Sequence, residues 1–138
     1  MPVARRPVAV LVAVLAVATL GAPAAQARGG RGGGGGDEAR VRTSAGCGRA
    51  ARTRLELRGR DGAIRTDWKL ERGRAGERWR IVVVQEARVV WRGTRTISSS
   101  GRIEQRLALR DLPGADRVDV RASGPRGTSC AVGATLRG

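Results

Sequence analysis

The sequence lacks histidine, phenylalanine and tyrosine altogether, and Lys69 is its one lysine among 27 basic residues. The absence of histidine removes the side chain that enzymes use most often as a general base near neutral pH. The absence of phenylalanine and tyrosine leaves three tryptophans as the large aromatic side chains that can fill a core. We therefore predict a binding or structural protein rather than an enzyme.

Cysteine is also scarce, because Cys47 and Cys130 are the two cysteines of the chain. With no histidine and no C-x-x-C pair, the sequence predicts no metal site and no cofactor. An even pair of cysteines in an exported protein is typical of a disulfide. Here it would close a loop of about 84 residues and stabilise the fold by up to about 4.5 kcal/mol. Two free thiols are the alternative.

The remaining candidates for catalysis are a serine cluster and two carboxylates. Ser98, Ser99 and Ser100 have no histidine to activate them, and we interpret them as a polar turn. Asp111 and Asp116 flank a corner that contains Leu-Pro-Gly, where aspartate commonly caps a turn. A two-carboxylate hydrolase is the enzyme class that these residues leave open. We assign no catalytic residue.

The first 27 residues are typical of a secretory signal peptide. Arg5 and Arg6 form a basic start, residues 8–20 form an apolar run, and residues 25–27 (Ala-Gln-Ala) match a small-x-small cleavage site. An uncleaved anchor is the alternative, but the apolar run has about 13 residues whereas a membrane span needs about 20. We expect cleavage after residue 27, a secreted or envelope location, and no integral membrane segment in the mature chain.

Residues 28–46 begin with Arg-Gly-Gly-Arg and five further glycines, a run that cannot hold one conformation. We interpret this segment as a flexible Gly/Arg-rich linker between the signal peptide and a folded domain at residues 47–138. An RGG-like nucleic-acid segment is the alternative, but the run carries two arginines and no aromatic side chain.

The charge of the chain is strongly unbalanced. The formal net charge of +15 falls to +13 when Arg5 and Arg6 leave with the signal peptide. Nearly every basic residue is arginine, which the codon bias of a high-GC bacterium also produces. Whatever its origin, an excess of this size favours anionic partners. We expect an anionic envelope polymer or a protein, and no specific nucleic acid.

After the linker, apolar and polar residues alternate, which is the period of a strand with one buried face. For example, Ile64, Thr66, Trp68 and Leu70 alternate with charged residues. No stretch shows a sustained helical period, so we predict an all-β fold, an antiparallel sandwich of seven strands separated by Gly/Pro turns. The predicted strands are Arg52–Arg58, Ala63–Glu71, Arg78–Gln85, Arg88–Thr96, Arg102–Arg110, Arg117–Ser123 and Thr128–Leu136.

The register of the first hairpin follows from its turn. With residues 59–62 as the loop, Glu56 lies opposite Arg65 and Arg54 lies opposite Asp67. Opposite charges that face each other across a ladder stabilise it modestly. The sequence therefore predicts two cross-strand ion pairs in this hairpin.

From Leu107 the chain reads Leu-Ala-Leu-Arg-Asp-Leu-Pro-Gly-Ala-Asp-Arg-Val-Asp-Val-Arg-Ala-Ser-Gly-Pro-Arg-Gly-Thr. This stretch resembles the end of a fibronectin type III domain, where a leucine strand leads through Leu-x-Pro-Gly into a Val-x-Val-x-Ala strand and a glycine-containing hairpin. Trp68 would match the tryptophan of the family's second strand. The likeness covers residues 52–136 in strand order. It implies an immunoglobulin-like sandwich, and it favours binding over catalysis.

The third and fourth predicted strands carry apolar residues on both faces. If Trp79, Ile81 and Val83 face the core, Val82 and Val84 face outward. An exposed apolar strip with a polar rim is typical of an interaction surface. A hairpin that closes at residues 86–87 completes the predicted face, which is Arg80, Val82, Val84, Val89, Trp91 and Arg92.

In this register, Val84 lies opposite Val89 and Val82 lies opposite Trp91. Two alternatives remain: the strip is covered by residues 37–46, or the strand faces the other way with Trp91 in the core. Our leading hypothesis is an exported, non-enzymatic module that binds another macromolecule through this face. The second hypothesis is electrostatic binding to an anionic envelope polymer or nucleic acid without a defined pocket.

Overall fold

The computed structural model describes residues 38–138, and it confirms the predicted all-β class for that part of the chain. Its regular structure is β-strand apart from one turn of 3₁₀ helix, Pro125–Gly127. The predicted signal peptide (1–27) and the glycine run within residues 28–37 lie outside the described residues. The strands are β1 (Arg40–Gly46), β2 (Arg52–Arg60), β3 (Ala63–Glu71), β4 (Arg78–Gln85), β5 (Arg88–Thr96), β6 (Ile103–Arg110), β7 (Asp116–Ser123) and β8 (Ser129–Leu136).

The strands form two antiparallel four-stranded sheets with the orders β1-β2-β3-β6 and β5-β4-β7-β8. The two inner faces meet in one core, where Trp68 of β3 and Trp79 of β4 are the largest buried side chains. On one side of the sandwich, β8 packs against β1 and β2, but on the other side β5 and β6 barely touch. Trp91 and Leu107, on these two edge strands, are therefore only partly buried.

The predicted number of strands is wrong by one, because residues 40–46 form β1 instead of the end of a linker. Val41, Thr43 and Ala45 pair with buried residues of β2 and so face inward. Such small side chains give only weak hydrophobic alternation in the sequence. The Thr43 hydroxyl donates to the carbonyl of Gly133 in the opposite sheet at 3.0 Å, so β1 closes one side of the sandwich.

The β2–β3 hairpin is tighter than predicted, because its loop consists of Asp61 and Gly62 alone. Both residues have positive φ, at 54° and 71°, and Arg60 pairs with Ala63. Asp-Gly favours this two-residue turn, whose twist matches that of the flanking strands. The longer loop assumed from the sequence would leave the last ladder pairs unmade.

The tighter turn shifts the hairpin register by two residues. The predicted pairs Glu56–Arg65 and Arg54–Asp67 are therefore wrong. Glu56 lies opposite Asp67, and Arg54 lies opposite Lys69. A shift of two residues keeps every side chain on its predicted face, but it sets like charges directly across the ladder.

The β4–β5 hairpin contains a β-bulge that the sequence does not predict. Val84 pairs with Val89 as predicted, but the register then slips, and Val83 pairs with Trp91. Val90 is the extra residue on β5. Because Val83 is buried in the core, its partner Trp91 lies on the inner face, and the predicted outward position of Trp91 is wrong.

Cys47 and Cys130 form a disulfide, which confirms the prediction from cysteine count. Their Cα atoms are 4.4 Å apart, and both residues are buried. Cys47 directly follows β1, and Cys130 lies on the inner face of β8. The bond therefore joins the first strand of one sheet to the last strand of the other.

Reduction of this disulfide should lower stability and leave the fold unchanged, because the constraint acts mainly on the unfolded chain. For a loop of this length we expect a loss of up to about 4.5 kcal/mol in the free energy of unfolding. The measurement is thermal unfolding followed by circular dichroism, with and without reductant. A reduced protein whose spectrum already differs at low temperature would contradict this account.

The β4–β5 turn consists of Glu86 and Ala87, which both have positive φ, at 46° and 61°. This turn type favours glycine or asparagine, so Ala87 is held in a strained conformation. We expect Ala87→Gly to raise the free energy of unfolding by about 0.5–1 kcal/mol in denaturant titrations. The control Ala131→Gly, within β8, should lower it by a similar amount. Destabilisation by both variants would show that the turn is unstrained.

Candidate functional site

Five of the six residues of the predicted face share the outer surface of the second sheet. Along β4 they alternate with residues that are buried in the core, and so they point outward. The residues of β5 pair with these outward residues of β4 and point the same way. Trp91 is the exception. It packs against the core from the inner face beside Gly93, and the guanidinium of Arg95 lies 5.2 Å from the centre of its ring. The five outward residues are Arg80, Val82, Val84, Val89 and Arg92.

Three valines form a short apolar strip on this outer face. Val84 pairs with Val89 across the hairpin, and Val82 lies two residues away on the same face of β4. Val82 and Val84 are half-buried, and Val89 is 48% exposed. We call Val82, Val84 and Val89 the valine strip.

Arginines surround the valine strip. Arg92 of β5 and Arg121 of β7 are the cross-strand neighbours of Val82, and Arg78 and Arg80 continue the same face of β4. All four are exposed, and within residues 38–138 none has a carboxylate at salt-bridge distance. We call Arg78, Arg80, Arg92 and Arg121 the rim arginines.

The carboxylate of this face is already paired. Arg117 Nη2 donates to Asp119 Oδ1 at 2.7 Å, and this hydrogen bond raises the pKa of Arg117. The pair lies across Gly133 of β8, where any Cβ would collide with it. Asp119 is therefore engaged by Arg117 and does not neutralise the rim arginines.

On the outer face of the first sheet, the carboxylate of Glu56 lies at the centre and arginines surround it. Glu56 is only 8% exposed although it lies on an outer face, because three arginines cover it. Arg42 Nη2 lies 2.6 Å and Arg40 Nη2 lies 2.8 Å from its carboxylate oxygens, and Arg58 also donates to it. Burial raises the pKa of Glu56, but the hydrogen bonds from Arg42, Arg40 and Arg58 outweigh it and lower the pKa to about 2.

The other carboxylates of this first face are paired as well. Asp67 lies 3.4 Å from Arg106, which offsets the repulsion between Asp67 and Glu56 across the ladder. Lys69 pairs with Glu104 at 3.3 Å. Carboxylates therefore pair the basic side chains at the centre of the first face, although Arg52, Arg65 and Arg110 there have no carboxylate partner in the described chain, whereas the valine strip of the second face is bordered by four arginines without counterions.

The residues considered for catalysis take part in local turns. The buried Asp116 carboxylate accepts from Gln85 Nε2 at 2.7 Å and from the backbone N–H of Leu112 at 3.2 Å, while Asp111 is exposed. Ser98 Oγ lies 2.8 Å from the hydroxyl oxygen of Ser100 in a turn. Across residues 38–138, no group of three or more His, Cys, Asp or Glu side chains could hold a metal ion.

Sequence reasoning missed Arg121 and Glu56 as parts of these faces. Arg121 reaches the valine strip through the pairing of β7 with β4, and that pairing connects strands more than 30 residues apart. A signal for Glu56 was available in the Asp61-Gly62 dipeptide, whose turn type fixes the register that surrounds Glu56 with arginines.

Comparison of the chain with protein-family models, with curated proteins and with solved structures found no match. The established architecture is therefore a two-sheet antiparallel β-fold, and the fibronectin resemblance stays a prediction. In the part of the chain from residue 38 to 138, no helix has the length and apolar character required to cross a bilayer.

Glu56→Gln should destabilise the protein most at neutral pH. The pKa of Glu56 is depressed in the fold, so its ionised form contributes stability that is complete above the reference value of 4.5 and is lost as the pH falls through about 2. We expect a loss of about 2 kcal/mol at pH 7, because three arginines lose their shared carboxylate. The measurement is denaturant unfolding between pH 7 and pH 2, over which the difference from wild type should shrink.

The matched control is Glu104→Gln, which removes a more exposed carboxylate from the same face. An exposed ion pair of this kind contributes less than about 1 kcal/mol. An effect of Glu56→Gln that equals the control, or that does not change with pH, would contradict the central role of Glu56.

Proposed function

We propose that this chain is an exported, non-enzymatic binding module that holds an anionic macromolecule on the outer face of its second sheet. The observation that carries the proposal is the set of rim arginines around the valine strip. Guanidinium groups without counterions attract and orient an anionic partner. The valines add apolar contact area at the centre of that charged rim, as in other interaction surfaces.

An acidic protein surface fits both parts of this face, because carboxylates would meet the rim arginines while apolar side chains cover the valine strip. An anionic envelope polymer is the second candidate. Its support is the inward position of Trp91, which leaves three valines as the apolar part of the face and raises the electrostatic share of binding.

The strand order supports an immunoglobulin-like or fibronectin-like assignment. Immunoglobulin sandwiches place strands A, B and E in one sheet and C, F and G in the other, and variable types add C′ beside C. The orders β2-β3-β6 and β5-β4-β7-β8 follow the same plan, with β1 as an additional edge strand. Trp68 lies on β3, the second of the seven strands in this scheme.

Export is part of the proposal and rests on two features. Residues 1–27 read as a signal peptide, and the disulfide between Cys47 and Cys130 is typical of proteins that fold in an oxidising compartment. A disulfide in a chain of this size is rare in the cytosol.

Replacing three rim arginines should weaken binding to envelope fractions of the parent cell. We expect Arg80→Gln/Arg92→Gln/Arg121→Gln to lower affinity at least about tenfold at low salt. The slope of log affinity against log salt should become shallower by about one per arginine removed. The measurement is a binding isotherm across a salt series.

The matched control removes three exposed arginines of the first sheet that also lack a carboxylate partner in the described chain, through Arg52→Gln/Arg65→Gln/Arg110→Gln. This variant should bind within about threefold of wild type, because only general attraction is reduced. The variant Val84→Ser then distinguishes the two candidate partners. It should weaken binding of an acidic protein and leave binding of an anionic polymer unchanged. Equal losses from both triple variants would refute a defined face.

A further inference from the structure

Three loops meet at one end of the sandwich, away from both outer faces. They are residues 47–51 after β1, residues 72–77 between β3 and β4, and residues 124–128 between β7 and β8. Together they line a cavity of about 340 Å³ that is open to solvent on one side, at the small end of the range for ligand pockets. Loops gathered at one end of a sandwich are where this architecture commonly places binding sites.

Arginine dominates the lining of this cavity, with Arg49, Arg72, Arg74 and Arg126 all contributing. Glu77 is the carboxylate among the lining residues, and its Oε1 accepts a hydrogen bond from Arg126. Within the described chain, Arg49, Arg72 and Arg74 have no carboxylate at salt-bridge distance. Four guanidinium groups against one carboxylate leave an excess of three positive charges around a small volume.

One residue of the lining, Trp79, carries a buried donor without an acceptor in the described part of the chain. Trp79 is 1% exposed, and its indole N–H has no acceptor among the protein groups of the described residues. A buried donor without an acceptor costs on the order of 1–3 kcal/mol.

The backbone is strained at the same place. Arg49, Arg72 and Arg126 have φ of 51°, 58° and 56°, and they are three of the six non-glycine residues with positive φ in residues 38–138. Each costs on the order of 1–2 kcal/mol relative to an unstrained residue, and glycine would avoid it. Strain that gathers at one cavity is a feature of ligand sites, where the side chain is needed in spite of its backbone cost.

The loops are held in place before any ligand arrives. The N–H of Cys47 donates to the carbonyl of Ala51 at 2.9 Å, and the N–H of Gly124 donates to the carbonyl of Thr128 at 2.7 Å. The disulfide to Cys130 joins the first of these loops to the strand that follows the third. A site that is already organised loses little entropy when a ligand binds.

We propose that this cavity binds a phosphate group, either the free ion or a phosphate ester. A dianionic tetrahedral phosphate neutralises most of the excess positive charge and offers enough oxygens for several guanidinium donors. A single carboxylate carries one charge and two oxygens, and so it satisfies fewer of these donors. The site shares no rim arginine with the outer face of the second sheet, so it stands independently of the function proposed above.

The direct test is isothermal titration of the full chain with inorganic phosphate, glycerol 3-phosphate and acetate at constant ionic strength. We expect saturable binding of at least one phosphate compound with a dissociation constant of about 1 mM or tighter. Acetate should bind at least about tenfold more weakly. Tighter binding of inorganic phosphate identifies the free ion as ligand, and tighter binding of glycerol 3-phosphate identifies an ester. Binding of neither, or of acetate equally well, overturns the proposal.

A second readout locates the phosphate. The three tryptophans give three indole N–H signals in a ¹H–¹⁵N correlation spectrum, which the variants Trp68→Phe and Trp91→Phe assign. Phosphate should shift the Trp79 signal and leave those of Trp68 and Trp91 in place. Equal shifts of all three signals, or no shift of Trp79, would overturn the assigned site.

Substitutions of the lining arginines show whether these residues bind phosphate or only maintain the structure of the loops. Arg72→Gly relieves positive φ, so it should raise the melting temperature of the free protein while weakening phosphate binding at least about fivefold. Arg74→Gln should weaken binding without that gain in stability. The control Arg65→Gln, on the outer face of the first sheet, should leave both unchanged. Loss of phosphate binding in Arg65→Gln to the same extent would mean that net charge alone is responsible.

The rim variant Arg80→Gln/Arg92→Gln/Arg121→Gln keeps the two proposals apart. It should retain phosphate binding within about twofold, because its substitutions lie on the sheet face rather than among the loops. Loss of phosphate binding in this variant would overturn the loop site, whereas loss of envelope binding alone concerns only the outer face.

Discussion

The contact between the inner faces of the two sheets stabilises the fold, and Trp68 and Trp79 are the largest side chains buried in it. Other core side chains are mostly valine, leucine, isoleucine and alanine, so few alternatives could fill the centre. Burial of one indole removes about 150–250 Å² from water, which contributes roughly 4–6 kcal/mol at about 25 cal/mol/Å². Trp79 belongs both to the core and to the loop cavity, because it packs among the buried side chains and also lines the cavity.

The distribution of carboxylates, more than the number of arginines, gives the surfaces their different character. The sequence has 27 basic and 12 acidic residues, so not every guanidinium can be paired. Glu56 and Asp67 occupy the middle of the first sheet, where arginines cover them. The second sheet and the loop end have few carboxylates, and those present are held by Arg117 and Arg126. Unpaired positive charge therefore remains on both sheets and at the loop end, and on the second sheet it borders the valine strip.

Alternation in the sequence predicted the all-β class and the inner faces of most strands, and the cysteine count predicted the disulfide. It could not predict the bulge at Val90, because the Val-Val-Trp run fits either facing until the turn and ladder are formed. Part of the outer face was likewise predictable, since Val82 and Val84 lie on one strand, but Arg121 joins it through non-local pairing. The loop cavity had no signal at all, because its arginines are spread over three distant loops.

If the chain is exported as proposed, the position of the disulfide imposes an order on its biogenesis. Cys47 follows the first strand and Cys130 lies on the eighth, 83 positions later. In a chain that crosses a membrane with its N-terminus leading, Cys47 enters the oxidising side long before its partner. During that interval it is a lone thiol, open to mixed disulfides with other molecules. With two cysteines in the sequence, however, one intramolecular pairing exists. Such a protein depends on an oxidant and on timely translocation, but it has no wrong bridge within the chain for an isomerase to correct.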